Sequence, residues 1–305
     1  MMIARSFIDA GYKTSLVLKY LDISRSTYYY ESKSTGKQRG IQKSVKTMIE
    51  GGSWISNETV VKYIEEILSQ EFVDYGYIKV THWLRKVKGC LINKKKVYGL
   101  MKEAGLLNVP SKSQSPGIKK EWVKELLPQP SKPLEYWEMD IKYIHIKGKA
   151  RNAFLLTVID VESRWVLGHK LSWTMKQEEV VRLLDEIFTQ YRLPEKIYIR
   201  NDNGTQFASE YVKEYFALFN VQQEFTKPAT PQQNAHIESY HSILERVICR
   251  RYQFDSIQEA RDTLNRFLKF YNLERIHSGI EYQSPYEYLL SKDYLNVADD
   301  IYKLV

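Results

Sequence analysis

The sequence predicts an α/β protein, in which a mixed five-stranded sheet with helices is preceded by small all-α helix-turn-helix modules. Short helical patterns fill the first third of the chain, and strand patterns that begin near residue 134 then alternate with helices. The charge divides at the same place. Residues 1–133 hold 23 basic and 12 acidic residues, whereas residues 134–305 hold 22 and 25. This asymmetry predicts a nucleic-acid-binding arm joined to a near-neutral core, although a solubilising surface would give the same balance.

The composition of the 305 residues, 43% apolar and 27% charged, is that of a soluble globular protein. No window approaches the length of uncharged apolar sequence that a membrane-spanning helix needs. The start of the chain has no basic-then-apolar signal pattern, so we expect a cytoplasmic protein. Cys90 and Cys249 stand far apart without metal-ligand neighbours, and we expect both to be reduced and structural.

The N-terminal segment, residues 1–35, has a helix-turn-helix-like pattern. In "SLVLKYLDISRSTYYYESK" an apolar helix is followed by a break at Asp22 and by Ser24, a predicted N-cap for a second helix. The second helix of such a motif enters the major groove of DNA, so Arg25 and Ser26 at its start are predicted DNA contacts. A plain helical hairpin is the alternative.

A second helix-turn-helix pattern, with a clearer sequence signal, spans residues 55–108. Gly89 is predicted to end one helix, and Asn93 is predicted to cap the next. The first turn of that next helix carries three lysines, although the positive end of the helix dipole disfavours them there. A phosphate-facing surface accounts for the three better than helix stability does, while a solvated lysine run is the alternative. The predicted DNA contacts are Lys94, Lys95 and Lys96.

A linker rich in Pro, Ser and Lys, residues 109–133, precedes a predicted catalytic core at 134–288 and a tail at 289–305. One short helix is predicted within the linker, at 119–126. In the core, "YWEMDIKYIHIK" alternates as a half-buried strand, and "AFLLTVIDV" and "RWVLGHKLSW" read as two further strands. The later predicted elements are a helix at 176–191, a strand at 196–200, a helix at 208–219, a strand at 222–226, and helices from about 233 and 256.

Three carboxylates stand where catalysis would need them. Asp140 lies on the polar face of a strand, Asp202 directly follows the fourth strand, and Glu238 comes in the first turn of a helix with 35 residues between it and Asp202. Two aspartates and one glutamate can hold a pair of divalent ions such as Mg²⁺ for phosphodiester chemistry. Taken singly, an Asp in a turn is usually a turn former, and a Glu in a first helical turn usually complements the helix dipole.

The chain resembles the second-frame (OrfB) transposases of bacterial insertion-sequence family 3, which have the DDE core of retroviral integrases. The matching stretches follow in the family's order: "ISRSTYYYE", "YGYIKVTHWLRKVKGCLINKKKVYGLMKEAGLL", "WEMDIKYI", "TVIDVESRWVLG", "NDNGTQF", "TPQQNAHIESYHSIL" and "YNLERIHSGIEYQSPYEYL". The resemblance implies an RNase H-like core with Asp140, Asp202 and Glu238 as ligands of two Mg²⁺ or Mn²⁺ ions.

The same resemblance implies an activity and partners. The protein would bind the terminal inverted repeats of an insertion sequence and catalyse metal-dependent 3′-end cleavage and strand transfer, two steps of DNA integration and recombination. It implies double-stranded DNA as partner, a homodimer or higher oligomer bridging two DNA ends, an upstream-frame product fused by frameshifting, and a place beside the bacterial nucleoid.

The resemblance also bears on single residues. Asp160, in "TVIDVESRW", matches a family position outside the triad, which implies a structural or supporting role. The family usually has a base seven residues after the glutamate, but this chain has Glu245 there and Arg246 one step later. We expect Arg246 to replace that base as a DNA contact. Asn234 and His241, together with Ser242, are further predicted substrate contacts.

Two rival functions are weighed against the transposase. A non-catalytic DNA-binding repressor derived from a transposase would have no use for the triad, though Glu245 favours it mildly. A simple nuclease of the same fold would leave the two helix-turn-helix segments unexplained. A tyrosine recombinase, suggested by Arg275, His277 and Tyr282, is rejected because no second basic cluster completes such a site.

Overall fold

The computed structural model describes residues 2–29, 44–108, 130–227 and 231–294. The chain divides into two compact units, Met1–Ser44 and Val45–Val305. The short helix predicted at 119–126 lies outside the described residues, as do most of the predicted linker and the end of the tail. No helix in the described ranges has the length and apolar character that crossing a membrane would require.

The first unit contains α1 (Met2–Asp9), α2 (Thr14–Tyr20) and α3 (Arg25–Tyr28). In its described part, the fully buried apolar side chains are those of Ala4, Val17 and Leu18. The predicted N-cap is confirmed, because the Ser24 hydroxyl accepts a hydrogen bond from the Thr27 amide at 3.1 Å.

The second helix-turn-helix pattern folds as α4 (Asn57–Leu68), α5 (Tyr77–Lys88) and α6 (Lys94–Glu103). Both predicted boundaries are confirmed. Gly89 ends α5 in the left-handed conformation with φ +59°, and the Asn93 side chain accepts from the Lys96 amide at 2.9 Å.

The prediction that this module is all-α was incomplete. Three short strands, β1 (Lys46–Ile49), β2 (Trp54–Ser56) and β3 (Cys90–Leu91), form an antiparallel sheet in the order β2-β1-β3. Gly51 and Gly52, both with positive φ, make the turn between β1 and β2. Strands of two to four residues are too short for an alternating pattern to stand out, so the sequence did not indicate them.

The predicted mixed five-stranded sheet is confirmed. Its order is β6-β5-β4-β7-β8, with β7 parallel to both β4 and β8 and the other pairs antiparallel. The strands are β4 (Tyr136–Ile146), β5 (Arg151–Asp160), β6 (Val166–Ser172), β7 (Ile197–Asn201) and β8 (Val221–Phe225). The helices are α7 (Gln177–Gln190), α8 (Glu210–Leu218), α9 (Ala235–Leu244), α10 (Ile257–Leu273) and α11 (Pro285–Ser291).

Strand β4 separates two hydrophobic cores. Trp137 and Met139 pack on one face with α7 and α8, whereas Ile144 and Ile146 on the other face join α9 and α10. An apolar stripe on α9 is fully buried in this second core. The stripe consists of Ile237, Tyr240, Leu244 and Val247, the last in a π-helical turn (Glu245–Cys249) that continues the helix.

Residues 70–76, between α4 and α5, attach the module to the core. The ring of Phe72 lies 5.5 Å from that of Phe267 and 6.0 Å from that of Phe270. The carboxylate of Asp74 lies 2.7 Å from the guanidinium of Arg275, which is 1% exposed. Buried side chains of the module and of the core therefore form one continuous hydrophobic cluster. The same ion pair gives the buried Arg275 a structural role and not the catalytic role that it would have in a tyrosine recombinase.

Removing the Phe72 ring tests whether module and core unfold together. Phe72 is 3% exposed, so we expect Phe72→Ala to lower the free energy of unfolding by about 3–5 kcal/mol, because it opens a cavity at the contact. Urea denaturation followed by tryptophan fluorescence would give a single transition shifted to lower urea. Trp54→Ala, at a side chain that is 60% exposed, is the control and should change stability by less than about 0.5 kcal/mol. A module that unfolds separately while the core transition stays unchanged would contradict this expectation.

Candidate active site

Helix α9 lies along the polar face of β4, and the two elements run in the same direction. Advancing two residues along the strand, about 6.6 Å, matches advancing four along the helix, about 6 Å. Three successive contacts follow this spacing: Glu138 with Ile237, Asp140 with His241, and Lys142 with Glu245. The sequence folds this way because β4 alternates apolar and polar residues, while α9 presents its apolar stripe to the sheet.

The first predicted ligand, Asp140, is half-buried in the middle of β4. One of its carboxylate oxygens lies 3.3 Å from Nδ1 of His241. In the antiparallel register of β4 with β5, Asp140 lies opposite Thr157. The carboxylate is thus fixed at the seam between the sheet and α9.

The second predicted ligand, Asp202, directly follows β7. The parallel register pairs Glu138 of β4 with Arg200 of β7, and Asp202 follows two residues later, just after β7 has ended. Adjacent strands lie about 4.8 Å apart. Asp202 is exposed, and its carboxylate accepts a hydrogen bond from the Gly204 amide at 2.9 Å, which shapes the turn after the strand.

The third predicted ligand, Glu238, is exposed in the first turns of α9. It lies three residues before His241, and residues at this spacing share one side of a helix. Along α9, Glu238 therefore lies between two residues that contact β4: Ile237, whose amide donates to Glu138, and His241, which contacts Asp140.

The three predicted ligands stand on β4, directly after the neighbouring strand β7, and on α9, the helix that contacts β4. Among the residues that the structure describes, no three His, Cys, Asp or Glu side chains converge at metal-binding distance. Carboxylates repel one another, so without a bound cation the three side chains are more stable apart than close together. The donor chemistry nevertheless fits a hard divalent cation, because all three groups are carboxylates within reach of solvent.

Two of the predicted DNA contacts lie beneath the surface. Asn234 is 6% exposed and His241 is 7% exposed, so most of each side chain is covered within the protein. His241 is directed to Asp140 because it follows the buried stripe of α9. The sequence could not tell the buried side of the helix start from its open side, and the two DNA contacts stay predictions.

The acid at the position where the family resemblance predicted a base is neutralised within the chain. Glu245 forms an ion pair with Lys142 at 3.0 Å, and its hydrogen bond with Lys142 lowers the pKa of the Glu245 carboxyl. Arg246 lies 3.0 Å from the carboxylate of Asp74 and donates to the Ser242 hydroxyl at 2.8 Å. Arg246 therefore ties α9 to the module, and its predicted DNA contact would use the exposed remainder of the guanidinium.

The other predicted DNA contacts lie on the two N-terminal modules. Arg25 and Ser26 are exposed on α3, within the first unit. Lys94 and Lys95 are exposed in the first turn of α6. Lys96 is half-buried, because its ammonium donates to the Lys46 carbonyl at 2.6 Å and so braces β1.

Asp160 is fully buried at the end of β5. Its two oxygens accept hydrogen bonds from the Leu134 amide, the Ser163 amide and the Ser163 hydroxyl, at 2.9, 2.7 and 2.5 Å. These bonds connect the start of the core to the turn after β5, which agrees with a structural role. Burial raises the pKa of Asp160 to about 6.

Sequence reasoning missed Glu138, Lys142 and Asp74 as contributors to the site. Glu138 and Lys142 were placed on the polar face of β4 with Asp140, but nothing in the pattern indicated that a helix covers that face. Asp74 lies in a loop whose partners, Arg246 and Arg275, are far away in the chain. The signal available in the sequence was a glutamate between two apolar residues, Trp137 and Met139, two positions before a predicted catalytic aspartate.

Comparison with known proteins matches three parts of the chain. Residues 130–231 and 219–285 each match a model of the integrase core domain, and residues 56–114 match an HTH-like domain. The transposase of insertion sequence IS904 from Lactococcus lactis is 25% identical over 77% of this chain and 94% of its own length. The putative transposase InsK of IS150 from Escherichia coli is 25% identical over 91% of this chain and 93% of its own.

A solved structure, that of the HTLV-2 integrase catalytic core domain with magnesium, is 15% identical and has a TM-score of 0.40, covering 52% of this chain and 98% of its own. Similarity at this level is weak, so the assignment depends on the sequence matches. These matches confirm the resemblance to insertion-sequence transposases, and the first integrase-core match spans the whole five-stranded sheet.

The raised pKa of Asp160 predicts how stability depends on pH. Because the folded pKa of about 6 lies above the ordinary value of about 4, the folded protein holds this proton more tightly than the unfolded chain. The stabilisation is therefore fully present below about pH 4 and is lost as the pH rises through about 6. Between pH 4.5 and pH 7, roughly, we expect wild type to lose up to roughly 2 kcal/mol more stability than Asp160→Asn, measured by urea denaturation. Equal losses of stability in wild type and Asp160→Asn would contradict the raised pKa of Asp160.

Proposed function

We propose that the chain is a DNA transposase, because it matches models of an HTH-like domain and of the integrase core domain, and because its relatives over most of its length are insertion-sequence transposases. It binds the terminal inverted repeats of an insertion sequence and catalyses 3′-end cleavage and strand transfer. The observation that supports the proposal is the alignment of α9, which bears Glu238, with β4, which bears Asp140 and pairs with the strand that Asp202 follows.

The integrase core domain supports the use of a divalent metal, and the proposed ligands are Asp140, Asp202 and Glu238. We propose two Mg²⁺ or Mn²⁺ ions at this site, because an all-carboxylate donor set suits hard cations. Bound there, such ions would activate the attacking oxygen and stabilise the leaving oxygen of a phosphodiester.

The protein residues supply position and charge. Two of the carboxylates come from adjacent strands and the third from a helix anchored to one of them, so the relative placement is set by packed elements and not by loops alone. In the first reaction, water attacks the phosphodiester at the transposon end, which leaves a 3′-hydroxyl. In the second, that hydroxyl attacks a target phosphodiester, and one P–O bond forms as another breaks. No covalent protein–DNA intermediate is required.

The proposed DNA-binding residues are the exposed basic side chains. Lys94 and Lys95 at the start of α6 would contact phosphates, as would Arg25 and Ser26 in the first unit. Two copies of the protein would bridge two DNA ends, and an upstream-frame product fused by frameshifting would extend the first unit. A protein that acts on chromosomal DNA in bacteria would work at the nucleoid, in the cytoplasm.

The central experiment combines the full chain with labelled DNA that carries an end of its own transposon, in the presence of Mg²⁺. We expect joined products from wild type. Cleavage without joining would favour a nuclease, and binding without either reaction would favour a repressor.

Removing one proposed ligand tests the site. We expect Glu238→Gln to reduce cleavage and joining by at least about 10²-fold, because a neutral amide is a poor ligand, while the DNA dissociation constant stays within about twofold. Glu214→Gln, at an exposed carboxylate on α8, is the matched control and should react normally. Strand joining at the wild-type rate by Glu238→Gln would eliminate the proposed triad.

The lysines of α6 differ in a way that the salt dependence of binding can detect. For the double variant Lys94→Ala, Lys95→Ala, we measure the DNA association constant K. We expect the negative slope of log K against log salt concentration to become shallower by about 1.8, which corresponds to the loss of two phosphate contacts. Lys96→Ala should leave the slope nearly unchanged, because its ammonium is bound to the Lys46 carbonyl. Equal slopes for wild type and the double variant would place the DNA elsewhere.

A further inference from the structure

Glu138 is a fully buried carboxylate in the middle of β4, two residues before Asp140. Its neighbours in the strand, Trp137 and Met139, are also fully buried. Removing a carboxylate from water is unfavourable unless hydrogen bonds and opposite charge compensate for the loss. The position of Glu138 therefore requires a partner.

The partner is the first turn of α9. One oxygen of Glu138 accepts hydrogen bonds from the backbone amides of His236 and Ile237, at 2.9 and 2.8 Å. The other oxygen lies 2.7 Å from Nδ1 of the His236 ring. These amides have no intrahelical acceptor, because they belong to the first turn, where the helix dipole also favours negative charge.

No N-cap side chain of α9 itself accepts hydrogen bonds from these amides. Asn234 occupies the N-cap position, but its side chain makes no capping hydrogen bond, and its Oδ1 is buried without a partner among the described residues. An N-cap side chain normally accepts from the second and third helical amides, and in α9 these are the amides of His236 and Ile237. Glu138 thus makes, from a neighbouring strand, the bonds that a local cap would make.

We propose that Glu138 is a positioning residue that caps α9 from β4 and thereby sets where Glu238 stands relative to Asp140. Glu238 is the residue directly after Ile237, and the next anchor is the contact of His241 with Asp140. The proposed ligand is therefore held between two attachments to the same strand. The catalytic consequence depends on the proposed role of Glu238, whereas the capping itself does not.

Two substitutions of similar volume separate hydrogen bonding from packing. Glu138→Met fills the space without an acceptor. Glu138→Gln keeps an oxygen for the two amides and can donate to Nδ1 of His236. We expect Glu138→Met to lower kcat for end cleavage by about 10–100-fold at an unchanged dissociation constant for DNA, and Glu138→Gln to stay within about threefold of wild type.

A readout that is independent of activity is amide hydrogen exchange of the metal-free protein at residue resolution. In Glu138→Met we expect the amides of His236 and Ile237 to lose at least tenfold protection, while amides of β5 keep theirs. Glu138→Gln should keep protection at both positions. If the Met variant does not fold, Glu138→Asp replaces it, because its carboxylate is one methylene too short to reach the amides, so it should lose the same protection.

The outcomes separate the two proposals. Unchanged protection and kcat in a folded Met or Asp variant, or a Gln variant as impaired as Met, would overturn the positioning role. If Glu138→Met loses amide protection but wild type neither cleaves nor joins DNA, the capping role of Glu138 would stand and the proposed function would be rejected. Lost protection with unchanged kcat would also overturn the positioning role, because the cap would then be structural only.

Discussion

The catalytic half of this protein depends on the contact between the polar face of β4 and helix α9. A strand that carries charge on its buried side is unstable unless an element with complementary groups covers it. The amides at the start of α9, His241 and Glu245 are spaced to meet Glu138, Asp140 and Lys142 in turn. Since strand and helix advance by nearly equal lengths per contact, the pairing continues over three steps without distortion.

The same contact explains why an acidic residue is tolerated where related transposases have a base. Glu245 would repel DNA phosphate if it were free, but Lys142 neutralises it at 3.0 Å. Arg246, the next residue, reaches Asp74 in the module. One carboxylate, that of Asp74, thus pairs with Arg246 and with the buried Arg275, and the HTH-like domain is bound directly to the helix that bears Glu238. The π-helical turn after α9 thus connects that helix to β4 through Glu245 and to the module through Arg246.

Much of the fold was predictable because its signals are local. The alternation in β4, the continuous apolar run of β5, and the caps at Ser24, Gly89 and Asn93 each lie within a few residues of sequence. The three short strands of the module were missed because two to four residues carry no period. The division into separate domains did not foresee the shared core around Phe72, since hydrophobic contacts between distant segments leave no local pattern.

In the candidate site, too, some features could be predicted from the sequence and others depend on the tertiary structure. The sequence by itself determined which carboxylates are available, because Asp140, Asp202 and Glu238 stand at a strand centre, a strand end and a helix start, where residue type and spacing are readable. Only the tertiary structure decided which side chains are buried: it placed Asn234 and His241 inside, paired Glu245 with Lys142, and gave Glu138 the helix start as partner. The physical reason is that a charge is satisfied by whatever lies beside it in space, and residues about 100 apart in the chain become neighbours only when α9 settles on β4.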